Sequence, residues 1–374
     1  MKPVKIMVVF GTRPEAIKLA PIIRKAKERK DQFETTVVAT AQHREMLDSV
    51  LECFGIQPDI DLNIMKPGQS LYYITSKIFA GLEKAFEQNR PDMALVQGDT
   101  TTTFAGAMAG YYARTKIGHV EAGLRTGDKW SPFPEEMNRK MTSVLADHHF
   151  APTETAAENL AREGYSRDII TVTGNTVIDA LLWMVKRVEN RECPVKEIDS
   201  ELKKYDRMVL ITGHRRENFG DSMNRICRAF RKIAEKHPDV CFVYPVHPNP
   251  NVQKPVREKL ENIKNFFLLP PLTYPHFIWF MQKSYMIITD SGGIQEEAPG
   301  LKKPLLVTRK FTERKEGEKA GVLKLVGDDE KMIVEYTGKL LEDEEFYSKM
   351  ASGASPYGDG AAADRILDKI LEIV

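Results

Sequence analysis

The chain has 374 residues and a formal net charge of +1 at pH 7, and 42% of its residues are hydrophobic while 29% are charged. This balance is typical of a globular protein, and the length is sufficient for two domains with separate cores. The near-zero net charge excludes a global field that attracts nucleic acid or a membrane surface, so an anionic ligand would need local basic groups.

The cysteines and the first apolar run indicate a cytoplasmic protein without a membrane segment. Four cysteines are present, and none forms a C-x-x-C pair. A chain of this size needs no disulfide framework, so we expect reduced and mostly buried thiols. The run VKIMVVFG is too short to span a membrane and leads directly into a charged motif. We therefore expect a strand there and not a signal peptide.

Strand-like runs alternate with helical segments through the first half of the chain. VKIMVVF predicts a strand buried on both faces, and the following GTRPEAIKLAPIIRKAKER predicts a turn and a helix. The alternation continues with strand-like runs at ETTVVAT, MALVQGD, IGHVEA and HHFAPTE. A βαβ series of this kind predicts a parallel sheet with helices on both faces.

A second α/β series begins after residue 172. Its strands are predicted at RMVLIT, VCFVYPVH, YMIITD and KPLLVT. We therefore expect one domain from residues 1–172 with a returning C-terminal helix in 357–374, and a second domain from 173–356. Open parallel sheets bind ligands at the carboxyl ends of their strands, so two such domains would form an active-site cleft between them.

The stretch TDSGGIQEE carries the clearest phosphate-binding signal. Ser291, Gly292 and Gly293 lie between a predicted strand and a helix. Backbone N–H groups can approach an anion there, and a helix N-terminus favours negative charge. Glu297, one turn into the helix, could accept a hydrogen bond from a ribose hydroxyl. The alternative is a plain glycine turn with a serine cap. The stretch matches neither a P-loop nor G-x-G-x-x-G, the fingerprints of ATP and NAD sites.

Basic residues cluster in three further motifs. Arg13 and Lys18 lie in GTRPEAIK, His214 lies with two arginines in TGHRREN, and Arg314 lies in TERK. These groups could neutralise a diphosphate leaving group. The alternative for the cations is a solvated helix face.

Three carboxylates have positions that suit acid–base chemistry. Asp99 ends VQGD and Glu121 ends GHVE, where the end of a buried strand partly desolvates a carboxylate. Glu135 belongs to SPFPEEMNR, whose prolines and acids are also ordinary signals for a helix start, and Glu136 is expected to be a first-turn acid only. The alternatives are helix caps or ion pairs with Arg13, Arg125 or Arg139, and capping is a strong alternative for Asp99.

The histidines give no metal signal. They form no H-E-x-x-H motif, and His148 and His149 are adjacent. Adjacent side chains on a strand point to opposite faces, so the pair cannot chelate one ion. We expect no metal and no cofactor.

Together these motifs resemble those of the non-hydrolysing UDP-N-acetylglucosamine 2-epimerases. The shared motifs, in chain order, are GTRPEAIK, AQHREML, QGDTTTT, HVEAGLRTGD, SPFPEEMNR, TGHRREN, YPVHPNPNV, TDSGGIQEEAP and SPYGDG. The resemblance implies a glycosyltransferase-B-like fold of two Rossmann-like domains. It also implies a cytoplasmic homodimer that interconverts UDP-N-acetylglucosamine and UDP-N-acetylmannosamine for surface polysaccharide synthesis.

The resemblance also implies roles for individual residues. It assigns catalysis to Asp99, Glu121, Glu135 and His214. It assigns contacts with UDP to Arg13, Lys18, His214, Phe277, Ser291, Gly292, Gly293, Glu297 and Arg314. Some members bind a second UDP-N-acetylglucosamine as an activator, at positions that match Gln42, Glu135, Arg215 and His247. The sequence departs from those members at Glu45 and Gly68, where they carry Gln and Arg.

The implied reaction inverts C2 of the sugar, whose proton is not acidic because no carbonyl is adjacent. Departure of UDP from C1 would acidify that proton, and elimination would give a 2-acetamidoglucal to which UDP adds again. This route needs cations on the diphosphate and acid–base groups on two faces of the sugar, for which we expect Asp99 and Glu121 with Glu135 nearby. The alternatives are a glycosyltransferase and a nucleotide-sugar sensor without turnover.

Overall fold

The structure is a computed structural model that describes residues 2–42 and 44–374, without the side chains of residues 45 and 46. The side chain of Glu45, one of the two departures at the expected activator site, therefore lies outside the described residues. The chain divides into two compact units. Unit 1 contains the residues up to Ala180 together with Tyr357–Val374, and unit 2 contains Leu181–Pro356.

Each unit is built on one parallel sheet, as the alternating pattern predicted. The strands of unit 1 are β1 Val4–Phe10, β2 Phe33–Ala39, β3 Ile60–Asp61, β4 Met93–Gln97, β5 Lys116–Val120, β6 His148–Ala151 and β7 Ile170–Val172. Those of unit 2 are β8 Arg207–Thr212, β9 Val240–Pro245, β10 Phe266–Leu269, β11 Met286–Thr289, β12 Leu305–Val307 and β13 Leu323–Leu325.

The helices cover the faces of these sheets. They are α1 Arg13–Glu28, α2 Arg44–Phe54, α3 Leu71–Asn89, α4 Thr101–Tyr112, α5 Glu135–Leu145, α6 Glu154–Arg162, α7 Thr176–Val188, α8 Lys196–Leu202, α9 Asp221–Lys236, α10 Pro250–Leu260, α11 Tyr274–Lys283, α12 Gly292–Gly300, α13 Lys315–Lys319, α14 Glu330–Glu342, α15 Glu344–Ala351 and α16 Ala362–Ile373. Two 3₁₀ turns lie at Arg167–Ile169 and Arg216–Asn218. The change from unit 1 to unit 2 falls inside α7.

Strand order places a topological switch point in each sheet. The described strands of unit 1 follow the order β3-β2-β1-β4-β5-β6-β7, and those of unit 2 follow β10-β9-β8-β11-β12-β13. All neighbouring strands run parallel. The order reverses between β1 and β4 in unit 1 and between β8 and β11 in unit 2. Loops diverge at such points and leave room for a ligand.

The C-terminal helix α16 packs on unit 1 through a buried cap and surface ion pairs. Asp179 of α7 accepts hydrogen bonds from the N–H groups of Ala362 (3.2 Å) and Ala363 (2.9 Å), the first residues of α16. Burial raises the pKa of Asp179 against the opposing effect of these hydrogen bonds. Arg29, the C-cap residue of α1, pairs with Asp364 at 2.7 Å. The returning helix therefore completes unit 1.

Three histidines lie buried in β5 and β6. His119 and His149 are neighbours in the β5–β6 register, and among the described residues neither ring nitrogen of His149 has a hydrogen-bond partner. Its ring meets Tyr165 edge-on at 4.9 Å between centroids. Burial lowers the pKa of His119 and of His148 to about 4, and that of His149 to about 3.

These histidines should make the chain sensitive to acid. The unfolded chain protonates a histidine near its ordinary pKa of 6.5, whereas folded His119 stays neutral down to about 4. In that window the unfolded state binds more protons, so the free energy of unfolding falls as pH decreases, by up to about 1.4 kcal/mol per pH unit for each histidine.

His149→Phe removes one such group and should reduce the loss of Tm between pH 6.5 and pH 4, the window set by the histidine pKa values. Thermal melting followed by circular dichroism measures this loss. His276→Phe is the control, because His276 is exposed. Equal pH dependence in His149→Phe and the wild type would contradict the assignment.

Candidate active site

The loop after β1 is tied to the start of α4 by a buried carboxylate. Oε2 of Glu15 accepts hydrogen bonds from the N–H groups of Gly11 (3.1 Å) and Thr12 (2.8 Å). Its Oε1 accepts the hydroxyls of Thr100 (2.7 Å) and Thr103 (3.2 Å). Burial raises the pKa of Glu15, and these hydrogen bonds oppose the rise. Glu15 thus fixes the two loops that flank the switch point of unit 1.

Gly11 allows the loop after β2 to approach the same point. A Cβ at Gly11 would collide with the side-chain hydroxyls of Thr40 and Thr102. These hydroxyls lie 3.0 Å apart, and Thr102 donates to Oε1 of Gln42 at 3.1 Å. Gln42, which the sequence predicted for an activator site, is therefore held beside the switch point.

Asp99 follows β4 and is paired with a cation of α5. Its Oδ2 accepts hydrogen bonds from Nε (3.0 Å) and Nη2 (2.7 Å) of Arg139, and its main-chain oxygen accepts Nδ2 of Asn138 at 2.9 Å. The capping alternative for Asp99 is wrong. Thr100 is the N-cap of α4, and its hydroxyl accepts the N–H of Thr103.

Glu136 is a buried anchor, in addition to its predicted place in the first turn of α5. Its Oε2 accepts Nη1 of Arg139 (3.0 Å) and the N–H of Thr126 (3.0 Å), and its Oε1 accepts the N–H of Gly127 (3.2 Å). Burial alone would raise the pKa of Glu136, but these donors hold it below its ordinary value. Glu136 therefore connects the loop before α5 with Arg139.

Glu121 follows β5 and forms a nearly buried salt bridge with Lys18. The Lys18 Nζ lies 2.7 Å from Oε1 and 2.6 Å from Oε2, and Nε2 of Gln97 also donates to Oε2. Glu121 adopts φ +61°, a left-handed backbone conformation that is uncommon outside glycine and often accompanies functional sites. Contact between Lys18 and UDP stays a prediction.

Glu135 begins α5, so the helix start that the sequence predicted is confirmed. Glu135 is half-buried, and its Oε2 is buried without a hydrogen-bond partner among the described residues. Arg13, the first residue of α1, is half-exposed just after the end of β1.

Unit 2 has a corresponding buried carboxylate at its switch point. Asp290 follows β11 and accepts the N–H groups of His214 and Arg215, both at 2.9 Å, and Nδ2 of Asn218 at 3.1 Å. The Nδ1 of His214 lies 3.4 Å from Oδ1 of Asp290. On its other side the His214 ring stacks on His247, with 5.6 Å between centroids. Asp290 therefore orients the loop that carries His214.

The glycine-rich start of α12 lies beside Arg314. Ser291 is the N-cap and makes no side-chain capping hydrogen bond. A Cβ on Gly292 would stand 3.1 Å from Nη1 of Arg314, so glycine lets the guanidinium lie against the helix start without crowding. Nε of Arg314 donates to Oε1 of Glu296 at 2.8 Å, which fixes its orientation.

Two further predicted residues, Glu297 and Phe277, lie on α12 and α11. Glu297 is 7% exposed, and Tyr274 of α11 donates to its Oε1 at 3.4 Å. Phe277 is half-buried one turn after Tyr274. Unit 2 thus brings together the glycine turn, Arg314 and Glu297.

The predicted site residues are divided between the units. Asp99, Glu121 and Glu135 belong to unit 1, and His214 belongs to unit 2. The residues predicted for an activator are also divided: Gln42 and Glu135 are in unit 1, whereas Arg215 and His247 are in unit 2.

Sequence reasoning missed the groups that hold the site residues in place. They are Glu15, Gln97, Glu136, Asn218 and Asp290, whereas Arg139 was among the three arginines named as possible ion-pair partners. A signal was available for some of them, because Asp290 directly follows an apolar strand, and Glu136 and Arg139 are three positions apart on one helix face.

Neither a metal-binding cluster nor a membrane-spanning helix occurs in the described ranges, 2–42 and 44–374. They contain no group of three or more histidine, cysteine, aspartate or glutamate side chains that could hold a metal ion. They also contain no helix that is long and apolar enough to cross a membrane.

Comparison with known proteins identifies the family. The family model described as UDP-N-acetylglucosamine 2-epimerase matches residues 25–371. The chain belongs to this family. The UDP-N-acetylglucosamine 2-epimerase of Escherichia coli K12 is 51% identical over 369 residues, and the match covers 98% of each chain. The resemblance drawn from the motifs is confirmed.

Solved epimerase structures have the same fold. The enzyme of Neisseria meningitidis bound to UDP-GlcNAc superposes with a TM-score of 0.90 at 47% identity, covering 99% of this chain and 100% of the other. The enzyme of Methanocaldococcus jannaschii in complex with UDP-GlcNAc and UDP superposes at 0.81 with 32% identity and the same coverage. The predicted fold class, two Rossmann-like units of glycosyltransferase-B type, is confirmed.

The anchoring role of Asp290 can be tested without a substrate. Asp290→Asn places an amide where the backbone N–H groups of His214 and Arg215 now meet a carboxylate. Hydrogen bonds to charged groups contribute about 1.5–3 kcal/mol, so amide exchange in this loop should accelerate at least ~10-fold.

Hydrogen-exchange mass spectrometry measures the rate. Asp239→Asn is the matched control, because Asp239 is an exposed partner of Arg207 in the same unit. Unchanged exchange in Asp290→Asn would show that other contacts hold the loop.

Proposed function

We propose that the chain interconverts UDP-N-acetylglucosamine and UDP-N-acetylmannosamine without net hydrolysis. One observation carries the proposal. Asp99 and Glu121 follow adjacent parallel strands, and each is bonded to a cation at the same sheet edge in a chain of the epimerase family. Such a pair suits transfer of a proton at one carbon of a bound sugar.

Unit 2 is proposed to bind the UDP part of the substrate. The start of α12 offers N–H groups that have no intrahelical partner, and Arg314 lies directly beside them. His214 would add a donor to the diphosphate. Glu297 would accept the ribose hydroxyls, and Phe277 would contact the base. Two relatives were solved with UDP-GlcNAc bound, which supports a UDP-sugar as the ligand.

The reaction is proposed to proceed by elimination and re-addition. One carboxylate takes the C2 proton, the C–H electron pair forms the C1=C2 bond, and the C1–O bond breaks with its pair on UDP. UDP then adds to C1 again while a second carboxylate delivers a proton to the opposite face of C2. Asp99 and Glu121 are the proposed pair, with Glu135 as a third group. The cations that face the diphosphate stabilise the leaving group.

Epimerisation in D2O tests this function. With UDP-N-acetylglucosamine as the only substrate, proton NMR should show UDP-N-acetylmannosamine with deuterium at C2. A substrate that keeps its C2 proton and its configuration would contradict the proposal. Release of UDP with transfer of the sugar to an added acceptor would identify a glycosyltransferase instead, and binding without any turnover would identify a sensor.

Asp99→Asn and Glu121→Gln should each lower kcat by about 10²–10⁴-fold, the usual contribution of a general acid or base. Both variants should still bind UDP in isothermal titration calorimetry, because most of the proposed UDP contacts lie in unit 2. Glu158→Gln is the control, since Glu158 is an exposed carboxylate on α6. Wild-type rates in both site variants would refute their assignment.

We also propose a homodimer formed through α3 and α4 of unit 1. Tyr72 is 90% exposed, and Tyr111 and Tyr112 are 60% and 67% exposed. Tyr112 meets Phe79 and Tyr111 in tilted contacts, with 6.1 and 6.2 Å between ring centroids, so these three rings form one patch. Exposed apolar patches of this kind mark association surfaces.

The double variant Tyr111→Lys/Tyr112→Lys should shift the mass in sedimentation velocity from dimer to monomer, because two buried charges in the patch oppose association. Phe311→Lys is the control, since Phe311 is a single exposed aromatic of unit 2. A dimeric double variant would place the association surface elsewhere.

Three further proposals rest on the family. The product would feed surface polysaccharide synthesis. The chain would act in the cytoplasm, where the buried thiols of Cys193, Cys227 and Cys241 stay reduced. A second UDP-N-acetylglucosamine would act as activator near Gln42 and His247, although Gly68 provides no side chain where some members carry Arg.

A further inference from the structure

We propose that Arg139 and Glu136 are positioning residues that hold Asp99 in the orientation needed for proton transfer. The inference rests on the proposed function, because it assigns a purpose to groups around a proposed catalytic carboxylate. It goes beyond that function by separating residues that would touch the sugar from residues that act through Asp99.

Arg139 binds one oxygen of Asp99 and leaves the other open. Nε and Nη2 both donate to Oδ2, at 3.0 and 2.7 Å. Among the described residues Oδ1 receives no hydrogen bond, and the Asp99 side chain is 30% exposed. The neighbouring Asn138 holds the main-chain oxygen of Asp99 at 2.9 Å. Two successive residues of α5 thus fix the backbone and one carboxylate oxygen, and Oδ1 remains for a substrate.

The Arg139 guanidinium is engaged on every nitrogen. Its third nitrogen, Nη1, donates to Glu136 at 3.0 Å, and the Arg139 side chain is only 12% exposed. Three of the five N–H donors of the guanidinium are used in these bonds, and the low exposure of the side chain gives the other two little access to a phosphate. The geometry therefore favours a role through Asp99 over direct contact with the diphosphate.

Glu136 makes the burial of this cation tolerable. A buried charge is costly unless it is paired and hydrogen-bonded. Glu136 is fully buried and accepts the N–H groups of Thr126 and Gly127 in addition to Arg139. Burial would lower the pKa of Arg139, yet Asp99 and Glu136 raise it, so the cation stays charged.

One helical turn consequently determines the position of two proposed catalytic groups. Glu135 begins α5, Glu136 follows it, and Arg139 lies one turn later on the face that meets Asp99. A shift of α5 would move Glu135 and Asp99 together. The turn therefore sets the spacing of both carboxylates around one sugar carbon.

Arg139→Ala in the full chain tests the inference. We expect kcat to fall by roughly 10²-fold, the cost of a misplaced catalytic group, while KM and the affinity for UDP remain close to wild type. Guanidinium ion added to the assay should restore part of kcat in Arg139→Ala, because it refills the site beside Asp99. It should have no such effect on Asp99→Asn, which has lost the group to be positioned.

Arg29→Ala is the matched control, since Arg29 forms ion pairs with Asp364 and Asp368 on α16. It should keep wild-type kcat even if its Tm falls. Glu136→Gln keeps the side-chain size but loses the charge, and it should lower kcat less than Arg139→Ala with KM unchanged.

Two results would overturn the inference. One is a folded Arg139→Ala whose kcat is near wild type. The other is an Arg139→Ala variant whose KM rises and whose UDP affinity falls while kcat stays near wild type, which would make Arg139 a ligand contact. If circular dichroism shows that Arg139→Ala does not fold, Arg139→Lys replaces it in the test. Lysine keeps the positive charge but cannot donate two hydrogen bonds to Asp99 through Nε and Nη2. A wild-type kcat in Arg139→Lys would refute the positioning role. Absence of turnover in the wild type would instead refute the proposed function.

Discussion

The structure of the site depends on buried carboxylates that accept backbone N–H groups from the loops at the strand ends. Glu15 holds the loop after β1, Glu136 holds the loop before α5, and Asp290 holds the loop after β8. The N–H groups of a loop have no hydrogen-bond partners in a helix or sheet, and a buried carboxylate has no water to donate to it. Each therefore satisfies the other, and the loop acquires one fixed conformation.

The same constraint organises the charges that face a ligand. Asp99 and Glu121 each require a partner because both follow strands whose residues are almost all buried. Arg139 and Lys18 supply it. Breaking such a pair would leave an uncompensated charge, which costs about 3–5 kcal/mol in a buried site. The pairs are therefore part of the folded structure before any ligand arrives, and the site is preorganised.

The sequence predicted the fold and the positions of the main carboxylates, but it left Arg139 as one of three candidate partners and did not pair Lys18 with Glu121. Alternating apolar runs define parallel strands, and a polar residue directly after such a run must lie at the sheet edge, which placed Asp99 and Glu121 together. Their cations are distant along the chain: Arg139 is 40 residues from Asp99 and Lys18 is 103 from Glu121. Periodicity carries no information on which of many cations meets a given acid. The burial of Glu136 was unpredictable for the same reason, since a first-turn acid is ordinarily solvated.

For Asp99, an ion pair and the proposed catalytic role are compatible. A carboxylate has two oxygens, and Arg139 uses only Oδ2. A general base must keep one oxygen open to its substrate while the rest of the side chain is immobile, because a misdirected lone pair gains nothing from proximity. Two hydrogen bonds from Arg139 to a single oxygen of Asp99 meet both requirements. Glu121 illustrates the contrasting arrangement, because Lys18 contacts both of its oxygens. For Glu121 to act on a sugar, the Lys18 ammonium would have to turn away from one carboxylate oxygen. It could then approach the leaving diphosphate, which is the partner that the sequence first suggested for Lys18.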